Sequence, residues 1–398
     1  MKRQFVFLPL LFLFFLVVPC TARAGTVRNT SAFDFYFRDE GNNTCCITEI
    51  RINADKGISE LKIPDTINGK TVVSIGPRYV GTENNDGIVQ KNVFGLYQMD
   101  DCGRSAAEYW DWMPKDDAQK RRAMKVKKII LPDTIKVLKK DCFAAMKGLK
   151  SVKLPKNLTR IESEVFSCTA IKKIHLPDSL IFIEKTAFLN TSLKQINIPA
   201  KLKEGVAELA RTTVSWKRFA VSKKNPYYKV KKDFLFSKDG KTIYALIKPK
   251  KKIRIPDKVK KLSNSAFYNM SLKSVHLGAG LEEIEGCALS TRTNCKITLS
   301  SRNSYLAKKG MCIYNKKKKN LLVGIPQKSR VRVSSRIEKV YIFRISKKIT
   351  TLDENFSIVG IGKKYQVRRV YIPKSVKTMP TGWSLGFLGH KKCTYSYV

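Results

Sequence analysis

Apolar positions return at a fixed interval through the middle of the chain. Take Pro155, Pro177 and Pro199, which fall 22 residues apart, as origins. Leu149, Ile171 and Leu193 then stand six before; Val152, Ile174 and Ile196 three before; Leu154, Leu176 and Ile198 one before; Leu158, Leu180 and Leu202 three after. The first two units continue with Ile161 and Ile183 at six after, and Phe166 and Phe188 at eleven after. Alternation over the four residues before each proline predicts a short strand with one face inward. Proline has no N–H to donate and closes that strand. The apolar positions that follow are unevenly spaced and predict a return path of turns, 3₁₀ or short β pieces. One unit of this size cannot bury its own apolar face, whereas stacked units can, so the period predicts a solenoid.

The unit L-x-x-[IV]-x-[IL]-P-x-x-L-x-x-I, with a late Ala-Phe pair, resembles the BspA-type leucine-rich repeat of bacterial surface proteins. The resemblance runs over roughly residues 33–380 and is densest over 126–290. It implies a mainly β leucine-rich-repeat solenoid with a parallel strand sheet, short 3₁₀ or β return segments, hairpin insertions and a small helical insertion. It also implies a non-enzymatic protein that adheres to host matrix or to other cells. A fold alone does not name a ligand.

Along the chain the pattern divides as follows. Residues 25–80 read as an N-terminal cap and first repeat: Phe33, Phe35 and Phe37 alternate with polar residues, and Asn68-Gly69 predicts a tight hairpin turn before Val72. Residues 81–125 interrupt the repeat with a partly helical insertion, one or two short helices around Pro114. Tyr109, Trp110 and Trp112 in it either present a ligand surface or pack the insertion on the solenoid; packing is the commoner fate of such clusters. Repeats occupy 126–206. Residues 207–251 form a different module, with Asn225-Pro226-Tyr227-Tyr228 leading to a hairpin closed at Asp239-Gly240. Repeats resume over 252–290, with Gly278 in a proline position, and a second copy of the module fills 291–330. Asn303, Tyr305 and Ile313 each follow Asn225, Tyr227 and Leu235 by 78 residues, and the match extends without a gap to Val340. Residues 331–398 read as degenerate repeats and a C-terminal cap.

Charge and chemistry then narrow the function. Residues 1–24 combine Lys2 and Arg3, an apolar run from Phe5 to Val18 and Ala22-Arg23-Ala24, which predicts a secretory signal peptide cut after Ala24. Lipoprotein processing at Cys20 is the rival reading, and Pro19 argues against it. The apolar run is too short for a membrane span, and no later one approaches that length. The chain carries 77 basic and 32 acidic residues, net +45; removing 1–24 takes three of the bases and no acid, leaving +42. Such an excess implies anionic surroundings: lipopolysaccharide, teichoic acid, glycosaminoglycan, an acidic membrane face, or nucleic acid as a nonspecific polyanion. Of ten cysteines none is spaced C-x-x-C, and the histidines His175, His276 and His390 are far apart, so neither a zinc site nor any other metal or cofactor is expected. No catalytic constellation is visible, and an enzyme is not expected.

One slot stands out. Five residues before the origin come Lys127, Lys150, Lys172, Lys194, Lys251, Lys273 and Arg368. Outward strand positions add Lys128, Lys153, Lys173 and Arg254. If equal positions stack at the strand spacing of roughly 5 Å, these residues form a basic ladder along the sheet. A solvated lysine edge that discourages strand pairing is the plainer account. The ladder predicts binding of an extracellular protein or polyanion; the alternative is an envelope component held to anionic polymer by charge alone.

Overall fold

The computed structural model describes residues 24–28, 32–54, 58–77, 89–94, 97–99, 118–211, 216–248, 250–333, 336–352, 356–360, 367–379 and 394–398. The expected signal segment up to residue 23, the helix expected around 106–113, and Tyr109, Trp110 and Trp112 lie outside these residues. The chain winds into a mainly β solenoid of about 12 turns with parallel sheets, and the described residues include two small helices.

The expected strands are present. Lys128–Ile130, Ser151–Lys153, Lys173–His175, Gln195–Ile198, Lys252–Arg254 and Ser274–Leu277 occupy the positions before their origins and pair in parallel with neighbouring turns. Their alternate residues behave as the pattern requires: Val152, Leu154, Ile174, Leu176, Ile196 and Ile198 are buried, while Lys153 and Lys173 are exposed. The return path makes a second parallel ladder. Lys70–Ile75, Val137–Leu138, Arg160–Ile161 and Phe182–Ile183 pair in sequence, with Ser74 beside Val137, Val137 beside Arg160, and Arg160 beside Phe182. Beyond it the turn back holds two residues with positive φ per unit. Asp141, Glu164, Thr186 and Ser265 stand nine after the origin, and Ala145, Cys168, Asn190 and Asn269 thirteen after. Between them sits the aromatic slot, where Phe94, Phe143, Phe166 and Phe188 follow one another at centroid distances of 6.5, 5.9 and 5.2 Å.

The N-terminal cap is a sheet extension, as expected. Phe33–Gly41 pairs antiparallel with Thr44–Ile52, which joins the return ladder in parallel at Lys70–Ile75. The turn Asn68-Gly69 has φ of 47° and 73°, the double left-handed pair that a tight hairpin needs. Cys45 and Cys46 are both buried, with a register shift between them. Helix α1, Ala118–Lys125, closes this end: Gln119 bonds the Ile52 N–H and the Ile50 carbonyl, and Arg122 Nη1 donates to the Ile52 carbonyl at 3.0 Å.

Two expectations are corrected. First, the strand sheet is not one continuous ladder. It consists of short pieces: Glu60–Lys62 with Lys128–Ile130 and Ser151–Lys153; Lys173–His175 with Gln195–Ile198 and Arg218–Val221; Lys252–Arg254 with Ser274–Leu277 and Lys296–Leu299; and a fourth in which Val367–Ile372 lies between Arg336–Arg344 and Thr394–Tyr397. The hairpin modules account for the later break, because each places an antiparallel hairpin between successive turns. The structure offers no such cause for the break between Ser151–Lys153 and Lys173–His175. Second, the gapless match of the two modules ends near Pro326. Val331 lies in Gln327–Val333, which folds antiparallel onto Arg336–Arg344 instead of repeating the parallel strand around Ile253. A long antiparallel hairpin tolerates the same alternation of apolar residues that marks a parallel repeat strand, so alternation alone did not separate them.

Within the modules the duplication is closely kept. Asn225 Nδ2 donates to the carbonyls of Pro199 and Leu202 at 2.8 and 3.0 Å, and its Oδ1 accepts from Tyr227 and Tyr228 N–H, both at 2.9 Å. Asn303 repeats all four bonds, with Gly278, Leu281, Tyr305 and Leu306. The ammonium groups of Lys238 and Lys316 donate to the carbonyls of Asn225 and Asn303 at 2.7 and 2.8 Å. The hairpins separate the interior into three consecutive compartments. Leu235 and Ala245 face the first and Phe234, Phe236 and Ile243 the second, while 78 residues on Ile313 and Val323 face the second and Cys312, Tyr314 and Leu321 the third.

Candidate functional site

The basic slot is built by backbone geometry. In each stacked pair the slot residue donates its N–H to the carbonyl of the slot residue one turn back: Lys150 to Lys127 at 2.8 Å, Lys194 to Lys172 at 2.9 Å, and Lys273 to Lys251, at 2.6 Å. The first two turns therefore hold Lys127 and Lys150 together, the next hold Lys172 and Lys194, and the later ones Lys251 and Lys273. Lys127, Lys150, Lys172, Lys251 and Lys273 are exposed and Lys194 is half-buried; Lys128, Lys153, Lys173 and Arg254 are exposed on the sheet face beside them. Arg368 is half-buried in the strand Val367–Ile372.

The ladder starts later than a uniform rule would have it. Lys127 N–H donates to Ser59 O at 2.8 Å, so Ser59 holds the slot in the turn of Pro64, and Glu60 beside it takes Lys128 Nζ at 2.8 Å. Lys127 Nζ is turned to the end of helix α1, where it donates to Met124 O at 2.9 Å. In the third sheet piece, Asp257 lies by Arg254 and pairs with Arg302 at 3.0 Å; these neighbours and the Ala279 N–H, the strongest of them, hold its carboxyl below the usual range. Glu60 thus puts an acid among the bases of the first piece, on its strand, whereas Asp257 lies past the origin proline of the third, off its strands.

The central piece, like the third, has no acid on its strands, with Asp178 one past Pro177 as Asp257 is one past Pro256, and it gains two cations that the proline pattern missed. Lys217 N–H donates to Lys194 O at 2.9 Å, placing Lys217 in the slot, and Arg218 pairs beside Gln195. This turn has Ser222 at the origin instead of proline, and Ser222 N–H donates back to Ile198 O at 2.9 Å. Ser300 does the same with Leu277 O at 3.0 Å. Ser346 opens a further full turn in which Phe343, Ile345, Ile349, Leu352 and Phe356 are buried. The signal was present in the apolar spacing alone: Phe219 and Val221 stand three and one before Ser222. Lys172, Lys173, Lys194, Lys217 and Arg218 together put five bases on one three-stranded sheet.

The remaining chemistry is structural. Among the described residues no group of three or more His, Cys, Asp or Glu is placed to hold a metal ion. Cys45, Cys46, Cys142, Cys168, Cys295 and Cys312 are free and buried, whereas Cys287 is partly exposed. Burial pushes the Cys312 thiol up to about 12 and, with the Cys46 thiol and the Asp39 carboxylate adding to it, the Cys45 thiol to about 11. His276 Nδ1 pairs with Thr298 Oγ1 at 3.0 Å, and His175 is exposed. Among the described residues no helix is long and apolar enough to cross a membrane.

Known proteins supply the family. The structure is similar to that of the pneumococcal vaccine antigen PcpA, with TM-score 0.50 and 18% identity over 95% of this chain and 94% of that one. A leucine-rich repeat protein from Eubacterium ventriosum follows at TM-score 0.47 and 14% identity, over 94% of this chain and 85% of that one. A leucine-rich cell surface protein from Faecalibacterium prausnitzii gives TM-score 0.38 and 17% identity, over 94% of both chains. No curated protein matches the sequence. The family model described as "BspA type Leucine rich repeat region" matches residues 121–212 and 240–356 in 6 copies, together just over half of the chain. The chain therefore belongs to the BspA-type leucine-rich repeat family.

Proposed function

We propose that this is a non-enzymatic surface or secreted binding protein that holds extended anionic polymers along its strand face. One observation carries the reading: backbone bonds fix the basic slot in register, and on the central piece Lys172, Lys194 and Lys217 follow one another at strand spacing. Neighbouring strands lie about 4.8 Å apart, inside the Debye length of about 8 Å at physiological salt, so the charges reinforce one another. They also repel. A rigid backbone that holds them together raises the energy of the free protein, and an anionic polymer relieves it. The whole chain's net charge of +45 supplies the long-range attraction. Surface display is the setting that the family resemblance and the expected signal segment favour.

The test is the salt dependence of binding to heparin and to lipopolysaccharide. Changing Lys172, Lys194 and Lys217 together to Gln lowers the slope of log affinity against log salt by about two, since each lysine releases less than one counterion. Lys308, Lys309 and Lys317, exposed on the second module, make the matched control. Lys316 does not serve as one, because its ammonium anchors the Asn303 carbonyl. If the control triple flattens the slope as much as the ladder triple, binding is bulk charge and the site reading fails.

A further inference from the structure

The central sheet piece has more than charge. Its face carries a depression of about 310 Å³ lined by Lys173, His175, Gln195, Asn197 and Arg218. Register fixes how these meet. Lys173, Gln195 and Arg218 lie side by side on three adjacent strands, and His175, Asn197 and Ala220 make the next row. The first row is therefore cation, amide, cation across roughly 10 Å, two strand spacings. The second ends on Ala220, whose small side chain leaves the space beside Asn197 open. Ile174 and Ile196 point to the opposite face, buried in the core.

We propose that this depression binds one acidic sugar unit of an anionic glycan, sulfated or uronate-bearing, so that the polymer held by the ladder is also read at this point. The inference rests on the polyanion reading above and narrows it to a ligand class. Arg218 offers a planar pair of N–H donors suited to a carboxylate or sulfate, and Lys173 a point charge on the other side. Gln195 and Asn197 supply what a sugar needs beyond charge, since an amide both donates to and accepts from hydroxyl groups. Asn197 uses one N–H on Leu176 O at a long 3.5 Å, which leaves most of its amide for a ligand.

The same face fits the other polyanions poorly. Single-stranded nucleic acid is held by successive bases stacked on a platform of aromatic side chains, and the two rows offer only the separated His175 and Arg218 for that. A protein partner would look for a buried aromatic or aliphatic anchor at the centre of the contact. The exposed large apolar residues, such as Ile181, Leu189, Tyr227 and Tyr268, all lie off these rows. Lone phosphate chains would satisfy the cations and accept from the amide N–H groups, but leave the amide carbonyl oxygens without a donor.

The experiment compares the full chain with Asn197→Leu, which fills the depression without touching a charge, and with Gln195→Glu, which places a carboxylate between the two cations. Binding is measured at one salt concentration to heparin, to hyaluronan and to inorganic polyphosphate, with a thermal midpoint for each variant. The expected result is a roughly tenfold loss of heparin or hyaluronan affinity for Asn197→Leu with polyphosphate binding unchanged, and a loss on all three for Gln195→Glu. Loss on heparin alone assigns a sulfated sugar, and loss on hyaluronan as well assigns the uronate carboxylate. If Asn197→Leu changes none of the three, or all three equally, the depression reads no sugar and the inference is overturned while the ladder stands. If the unmodified chain binds none of them, ladder and depression fall together.

Discussion

Asn225 is the most exposed point of the argument that the modules are built from inside. Its amide is fully buried and makes four bonds, two as donor and two as acceptor, all between 2.8 and 3.0 Å. They tie the turn of the module to the Pro199 and Leu202 carbonyls of the preceding repeat. Asn225→Ala strands two carbonyls and two N–H groups, each worth about 1–3 kcal/mol when left unsatisfied. A water can enter the vacated space and recover part of this, so the cost settles at about 2–4 kcal/mol. Asn225→Asp keeps the shape and both acceptor bonds but turns an oxygen toward two carbonyl oxygens and buries a charge. It costs at least as much, roughly 3–5 kcal/mol.

The aspartate also carries a pH signature. Burial and the two facing carbonyls raise its folded pKa above the unfolded value of about 3.9. Stability is then greatest below that unfolded value and is lost as pH rises through the raised folded one, so the deficit is complete at pH 7 and shrinks on acidification. Urea unfolding at pH 7 and pH 5 measures it. Hydrogen exchange across residues 219–247 reads the module locally, because repeat arrays need not unfold in one step. Asn303→Asp is an internal replicate, since Asn303 has the same four bonds. An Asn225→Asp chain that unfolds with the parent at pH 7 would refute the bond account.

Three further outcomes are expected. Phe166→Ala removes a fully buried ring that lies between Phe143 at 5.9 Å and Phe188 at 5.2 Å, and lowers stability by roughly 3–5 kcal/mol in chemical denaturation. Gly205→Ala, at φ +84° with the new Cβ 1.9 Å from the Ile183 carbonyl oxygen, lowers the thermal midpoint, whereas Gly310→Ala, at φ +55° with open space around it, lowers it less. Iodoacetamide at pH 8 labels Cys287 but not Cys45, Cys142 or Cys312 in the folded chain, read by mass spectrometry; the contribution of the three buried thiols is present below their ordinary 9.0 and is lost as pH rises through the raised folded values.

The strands before each proline were legible because two constraints coincide there, alternation and a residue that cannot continue the ladder. The turn back was not. Its two left-handed positions are held by Asp141, Glu164, Thr186 and Ser265 in one place and by Ala145, Cys168, Asn190 and Asn269 in the other. These side chains share no single property; what repeats is a backbone dihedral imposed by the stacked turn, and outside Gly and Asn that leaves little trace in sequence. Phe143 belonged to the aromatic slot by position, eleven after Pro132, with Cys142 before it as Val165 stands before Phe166. Lys217 and Arg218 were hidden by the same reliance on proline. Serine fills the origin there and keeps an N–H that bonds the preceding turn, so the repeat continues without its most visible mark.

The hairpin modules connect the hydrophobic interior to the basic strand face. Phe234-Leu235-Phe236 is a continuous apolar run, the signature of a strand buried on both sides. Its hairpin indeed faces two compartments at once, Leu235 toward one and Phe234 and Phe236 toward the next. A solenoid turn that carries such a wall cannot pass its strand ladder to the following turn, so Arg218–Val221 ends the central sheet piece and Lys252–Arg254 begins another. The duplication repeats the consequence: Lys296–Leu299 ends the third piece just before the second module. A basic slot that would otherwise be one long, uniform rail is cut into short segments. The neighbours of each segment then set its character, with Glu60 on a strand of the first and amides between the cations of the central one. Beyond the central piece it is the walls that interrupt the ladder, so each later segment keeps its own neighbours.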